Sequence, residues 1–149
     1  MLRASVFCAL LSVLLPSSSA TKIAGKEQKG GKNKIMPFLF ENLEVYKKAM
    51  DFVKQIYNLK KEIPDRTIKD QLSRAALSIP LNIAEGQGRI HSREKKQYYN
   101  TAKGSLYECL PLLQVCQNMQ HLNDKKYSEL YELMNEIGKM LSGLIRSVE

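Results

Sequence analysis

The chain has 149 residues, a length that suits one folded domain. Hydrophobic residues make up 44% of it and charged residues 26%, proportions that exclude a collagen-like or wholly disordered protein. The formal net charge is +8, but residues 1–35 hold a surplus of five positive charges and residues 36–149 a surplus of only three. The part expected to fold is therefore mildly basic, and charge alone does not establish a nucleic-acid partner.

Residues 1–35 differ in character from the rest of the chain. Residues 1–20 contain one arginine, an apolar run and a small-residue end, which is the pattern of a secretory signal peptide and is too short to span a membrane. Residues 21–35 are rich in lysine and glycine without periodicity, and we expect them to be disordered. Two interpretations stay open: the protein is exported, or its native start is Met36 and the upstream residues are foreign to it.

The cysteines favour the second interpretation. Cys109 and Cys116 are seven residues apart, which on a helix places them on one face about 10 Å apart, beyond the reach of a disulfide. Unpaired thiols suit a reducing compartment, so we expect a cytoplasmic protein, with secretion as the alternative if residues 1–20 are a genuine signal peptide.

Hydrophobic periodicity predicts two helices in the first half of the folded part. The first begins near Asn42 or Leu43 and ends before Pro64, because apolar residues recur at steps of three and four. The second begins with a capping-box-like Thr67 and Asp70. Gly86 and Gly88 are expected to stop this second helix. Pro80 within it removes the donor to the carbonyl of Ala76 and predicts a kink.

Two more helices follow. Ser92 is the predicted N-cap of the third helix, which runs to about Met119 and contains Pro111 as a second candidate kink. Asn123 or Asp124 caps the fourth, whose apolar residues run from Tyr127 to Val148. Residues 36–149 are thus predicted to form an all-α domain, an antiparallel four-helix bundle. Surplus apolar residues on the last two helices indicate either self-association or a wide core stripe. They are Leu112, Val115, Leu133, Met140 and Ile145.

A nine-residue motif, SIPLNIAEG at 78–86, is followed by Gly88 and Arg89. It resembles the signature of the bacterial four-helix proteins encoded in intervening sequences of 23S ribosomal RNA genes, a family that includes the accessory variability proteins of diversity-generating retroelements. The stretches FENLEVY at 40–46 and GSLYE at 104–108 match the same family, and the resemblance covers residues 37–146. It implies a pentameric, barrel-like ring with a basic surface, nucleic-acid binding without catalysis, and, in the retroelement branch, association with a reverse transcriptase.

A basic cluster surrounds the start of the third helix, with a tyrosine among its members. Such residues neutralise phosphates, and a tyrosine stacks on an unpaired base; the alternative is a solvated polar face. With the family resemblance, the cluster predicts nucleic-acid binding, with RNA favoured over DNA. The candidate residues are Arg89, Arg93, Lys95, Lys96, Tyr99 and Lys103.

A polar line on the second helix forms a structural polar motif with the proline and glycine beside it. Steps of three and four place its polar side chains on one face, either for partner contacts or, as we favour, for hydrogen bonds between helices or subunits. The residues are Arg74, Ser78, Pro80, Asn82, Glu85 and Gly86.

No residue pattern predicts catalysis, a metal or a cofactor. His91 and His121 have Gly88 and Asn118 three residues before them, so the Glu-x-x-His spacing of a di-iron bundle is missing. The sequence therefore predicts a non-catalytic, oligomeric bundle that binds structured RNA or other nucleic acid. The alternative is a protein adaptor that docks a nucleic-acid enzyme such as a reverse transcriptase.

Overall fold

A computed structural model describes residues 38–148 of the chain. A short 3-10 turn, Leu39–Asn42, precedes four α-helices: α1 (Glu44–Leu59), α2 (Arg66–Gly88), α3 (Ser92–Asn118) and α4 (Asp124–Arg146). Within residues 38–148 there is no β-strand, which confirms the all-helical prediction. The predicted signal-like run, the lysine-rich tail and the alternative start at Met36 lie outside the described residues. Among the described helices, none is both long and apolar enough to cross a membrane.

The starts of the helices follow local side-chain chemistry, with two corrections. The N-cap of α2 is Asp65, whose Oδ1 accepts the backbone N–H of Ile68 at 2.9 Å, so the capping box predicted at Thr67 is wrong. Ser92 is the first residue of α3 and not its cap; His91 holds that position without a side-chain bond. Asn123 caps α4 as predicted, because its Oδ1 accepts the N–H of Lys126 at 2.8 Å.

In three pairs of neighbouring helices, residues late in one helix contact residues early in the other. The helices of each of these pairs are therefore antiparallel. The helices follow one another around the bundle, so α1 lies diagonally across from α3. The pairs that establish the directions are Ser78–Ser105 and Gln87–Tyr99 for α2 and α3, Lys103–Ser142 and Gln117–Asp124 for α3 and α4, and Lys48–Glu136 and Gln55–Lys126 for α1 and α4.

One apolar core runs through the bundle, and every helix contributes to it. Burying each large aliphatic or aromatic side chain stabilises the fold by about 1.5–3 kcal/mol. Four of the five surplus apolar residues belong to this core or pack against its edge, as the wide-stripe alternative expects: Leu112, Leu133, Met140 and Ile145. Val115 is the exception and is exposed.

Gly86 has a packing role and does not end its helix. It is buried inside α2, two residues before the end, and the ring of Tyr99 lies against it. A Cβ at position 86 would lie 2.6 Å from Cε1 of that ring, so only glycine fits. The prediction that Gly86 stops the helix is therefore wrong, whereas α2 does end at Gly88. Pro80 and Pro111 lie inside α2 and α3, and the kinks expected there stay predictions.

Candidate nucleic-acid interface

Arg89 follows α2 and is held by two side chains of the same chain, Glu85 and Tyr98. Its guanidinium donates to Oε1 of Glu85, one helical turn earlier, and to the hydroxyl of Tyr98 at 2.8 Å. It also lies 4.8 Å from the centroid of the Tyr98 ring. Burial opposes the charge of Arg89, but attraction to Glu85 and Tyr98 raises the pKa of the guanidinium overall. Arg89 therefore ties the end of α2 to α3, and the structure sets it apart from the other cations of the predicted cluster.

Tyr99 is fully buried, and the prediction that it stacks on an unpaired base is wrong. Its ring packs on Gly86, and its hydroxyl donates to Oε1 of Gln87 at 3.0 Å. Burial raises the pKa of this phenol. Lys95, four residues earlier on the same side of α3, is half-buried. Tyr99 thus joins α3 to α2 and presents no surface to a ligand.

Arg93 and Lys96 lie together on the outer face of α3. With Gln97, Asn100 and Thr101 they line a shallow, open groove. Steps of three and four bring these side chains to one side of the helix. All five are polar or cationic, so the groove suits an anionic ligand.

Lys103 extends this row toward α4. Its Nζ donates to Oγ of Ser142 at 3.0 Å and lies 5.7 Å from the centroid of the Tyr107 ring. Tyr107 is one turn further along α3, and 61% of it is exposed. Arg93, Lys96, Asn100, Lys103 and Tyr107 thus form one continuous row along α3, with steps of three, four, three and four.

A second groove lies between α3 and α4. Tyr107 forms one wall, and Lys139 and Arg146 stand on the α4 side. The sequence analysis missed these three residues. The periodic spacing on α3 and α4 would have revealed each row, but not that the two rows face a common groove. The remaining lining residues are Met134, Asn135, Gly138 and Ser142.

The polar motif of α2 divides between two sets of contacts. Nδ2 of Asn82 donates to the backbone carbonyl of Ser78 at 2.8 Å and to its hydroxyl at 2.9 Å. Oγ of Ser105 on α3 also donates to the Ser78 hydroxyl, at 2.9 Å. Glu85 instead pairs with Arg89, and Arg74 is exposed. The carbonyl that Asn82 reaches is that of Ser78, not the Ala76 carbonyl that Pro80 leaves without a donor.

Two cysteines of α3, Cys109 and Cys116, are buried free thiols. Burial, assisted by the nearby Glu108 carboxylate, raises the pKa of Cys109 from 9.0 to about 12. Burial also raises the pKa of Cys116, and the negative charge of Asp65 adds to this shift. Both side chains are therefore protonated core residues at neutral pH. Across residues 38–148, no group of three His, Cys, Asp or Glu side chains is placed to hold a metal ion.

These features define a class: an antiparallel bundle of four helices with a basic, partly aromatic face on α3 and α4. The family model of the 23S rRNA-intervening sequence protein matches residues 41–143, most of the chain. The chain belongs to this family. No protein of curated function matches it.

A solved structure shares the fold. It is a protein of unknown function of the S23 ribosomal protein family from Bacteroides thetaiotaomicron, 23% identical in sequence, with a TM-score of 0.65. The similar region covers 68% of this chain and 97% of that protein. The likeness supports the helical architecture and carries no statement about function.

Proposed function

We propose that the chain is a non-catalytic binding protein whose basic face on α3 binds structured RNA. The observation that carries this proposal is the groove on the outer side of α3, where Arg93 and Lys96 stand among the polar residues Gln97, Asn100 and Thr101. Lys103 continues the same row. Guanidinium and ammonium groups at such spacing neutralise successive phosphates and release their counterions. The name of the family refers to the intervening sequence of 23S rRNA, which agrees with RNA as the partner.

Charge reversal on this face tests the proposal. In the full-length chain, the double substitution Arg93→Glu and Lys96→Glu is expected to abolish binding to a structured RNA hairpin at moderate salt. The salt dependence of any remaining binding should also fall, because two fewer phosphates are neutralised. The measurement is fluorescence anisotropy with a labelled hairpin at several salt concentrations.

The matched control is Lys54→Glu with Lys61→Glu, two exposed lysines on the α1 side of the bundle. It changes the net charge by the same amount, but α1 lies diagonally across from α3. Retained affinity in this control and lost affinity in the α3 variant support the proposal. Equal losses in both variants would mean that attraction by overall charge, and not the α3 face, accounts for the binding.

We also infer that the protein self-associates, with a second copy covering the outer face of α2. Leu77 and Leu81 are four residues apart on α2, so they share a face, and both are exposed, Leu81 by 59%. Exposed apolar pairs of this kind on a binding protein favour protein contacts. The family resemblance implies a pentamer, and native mass spectrometry gives the subunit count.

The double substitution Leu77→Glu and Leu81→Glu is expected to yield a monomer with unchanged helical content. Thr67→Glu with Gln71→Glu, at exposed polar positions of the same helix, is the control and should leave the assembly intact. A wild-type chain that is monomeric would contradict self-association. It would instead favour the adaptor function, in which this apolar face docks a nucleic-acid enzyme such as a reverse transcriptase.

A further inference from the structure

The groove between α3 and α4 combines an exposed aromatic ring with cations on both sides. Tyr107 is 61% exposed, more than any other tyrosine in residues 38–148. Lys103 lies on the α3 side of its ring, and Lys139 and Arg146 stand across the groove on α4. An exposed tyrosine offers ring surface on which a planar base can stack, and cations beside it can contact the flanking phosphates.

We propose that this groove is a binding site for single-stranded nucleic acid, in which an unpaired base stacks on Tyr107 and the flanking phosphates contact Lys103, Lys139 and Arg146. The proposal rests on the proposed function, since the α3 row is common to both sites, and it specifies the kind of strand that is bound. A strand that follows the groove meets Arg93 and Lys96 first and Tyr107 next.

The arrangement of charges agrees with a strand-like ligand. The row on α3 is Arg93, Lys96, Asn100, Lys103 and Tyr107, in which Lys103 joins through its contacts with Ser142 and Tyr107. The row on α4 is Asn135, Lys139, Ser142 and Arg146. Five of these nine residues are cations and none is an acid. Because α3 and α4 are antiparallel and in contact, the two rows lie side by side along one path.

The exposed ring distinguishes a single strand from a duplex. In a helical duplex the bases are stacked on one another, and their faces are closed to a side chain. An unpaired base presents its face, and stacking on an aromatic side chain contributes about 1–3 kcal/mol per base. Asn100 and Asn135 add amide groups that can bond to base edges or to sugar hydroxyls without requiring one sequence. The site is therefore expected to prefer unpaired regions of a structured RNA and to tolerate different sequences.

The test separates stacking from charge by comparing a base-bearing strand with an abasic strand of equal charge, and a duplex shows whether unpaired bases are needed. The full-length chain is titrated against a fluorescent 12-nucleotide oligouridylate, a fully abasic oligomer of the same length and the corresponding RNA duplex. Tyr107→Ala is expected to weaken binding of the oligouridylate by roughly 5- to 150-fold, the equivalent of one stacked base. Its affinity for the abasic oligomer should match that of the wild-type protein. Tyr107→Phe keeps the ring and should restore oligouridylate binding.

Tyr57→Ala is the matched control for removal of a tyrosine. Tyr57 is an exposed residue of α1 and also lies near a lysine, with Nζ of Lys60 4.2 Å from its ring centroid. Its loss should leave the affinity for all three probes unchanged. Lys139→Glu with Arg146→Glu should weaken binding of the oligouridylate and of the abasic oligomer alike. It should also make the negative slope of log affinity against log salt shallower by about 1.4 for a single strand, because two fewer phosphates are neutralised.

The outcomes distinguish this inference from the proposed function. If Tyr107→Ala binds the oligouridylate as tightly as the wild type, while Arg93→Glu with Lys96→Glu still loses binding, the stacking site is refuted and the proposed function stands. Equal loss of oligouridylate and abasic binding in Tyr107→Ala would also refute stacking. If the wild-type chain binds none of the RNA probes, both proposals fail. Tighter binding of a polyglutamate peptide than of oligouridylate would identify the groove as a site for an acidic protein segment and would overturn the inference.

Discussion

Gly86 on α2 and Tyr99 on α3 are in direct contact, and the absence of a Cβ at position 86 is what allows the fully buried ring to reach the α2 backbone. The Tyr99 hydroxyl then donates to Gln87, one residue beyond Gly86. This pair closes the interface between α2 and α3 at the end of the bundle that also holds Arg89.

Substitution of Gly86 by alanine is expected to lower the free energy of unfolding by about 1–3 kcal/mol, the usual effect of overpacking. Alanine gains about 1 kcal/mol in helix propensity, but its Cβ would lie 2.6 Å from the fully buried ring of Tyr99. Gly104→Ala is the control, because a Cβ there would meet no side chain of another helix within 4 Å, and it should raise stability by about 0.5–1 kcal/mol. Chemical denaturation measures both, and equal effects of the two substitutions would contradict this packing role.

The cap of α2 provides a second prediction. Asp65→Ala should destabilise the protein by about 1 kcal/mol, because the N–H of Ile68 loses its acceptor. Thr67→Ala should have a smaller effect, since Thr67 lies inside the first turn and does not cap the helix. Denaturation midpoints of the two variants show which substitution costs more stability. A larger loss in Thr67→Ala would restore the capping box expected from the sequence.

The thiols of α3 are expected to be unreactive in the folded protein. Cys109 and Cys116 are fully buried, and burial raises the pKa of each, so neither forms the nucleophilic thiolate at neutral pH. A disulfide-exchange reagent should modify them only as the protein unfolds, measured in a Cys8→Ser background that removes the remaining cysteine. Rapid modification without denaturant would show that α3 opens locally.

The raised pKa of Cys109 predicts how the stability of the protein changes with pH. The folded-state pKa of Cys109 is about 12 against an ordinary 9.0, so its contribution to stability is complete below pH 9.0 and is lost as the pH rises toward 12. The reason is that the Cys109 thiol ionises at a lower pH in the unfolded chain than in the folded protein. The Cys109→Ala variant should therefore lose less stability than the wild type between neutral and alkaline pH. Parallel losses in the two proteins would contradict the shift.

Removal of the Tyr99 hydroxyl tests its structural role. Tyr99→Phe should lower the free energy of unfolding by about 0.5–1.5 kcal/mol, because the bond to Gln87 is lost at a buried position. RNA affinity should not change, since no part of Tyr99 reaches the surface. Weaker RNA binding by a variant that is folded normally would return Tyr99 to the binding site.

Periodicity was enough to place the four helices, because apolar residues at steps of three and four mark the buried side of each. Periodicity did not predict which residue caps α2 or which residues make contact between helices. The choice between Asp65 and Thr67 as a cap depends on which residue leaves the helical conformation, and both have a suitable side chain. Gly86 has the composition of a helix stop, yet it is needed by a ring thirteen residues further on.

The candidate site could also be predicted only in part from the sequence. Arg93, Lys96 and Lys103 are apparent from the sequence as a cationic row, and they do lie on one side of α3. Tyr99 stands next to that row in sequence, but its position on the helix turns it inward, whereas Tyr107 continues the row. Lys139 and Arg146 enter the site only through the alignment of α3 with α4, which contacts such as Lys103–Ser142 establish.

All nine residues of the two facing rows come from α3 and α4 of a single chain. The proposed site is therefore complete in each chain, and the proposed self-association would multiply it instead of creating it. The valency of such an assembly would equal its number of copies. A strand long enough to reach a second copy would be held there at an effective concentration on the order of millimolar, so modest affinity at each site would give strong retention of long unpaired RNA and rapid release of short fragments.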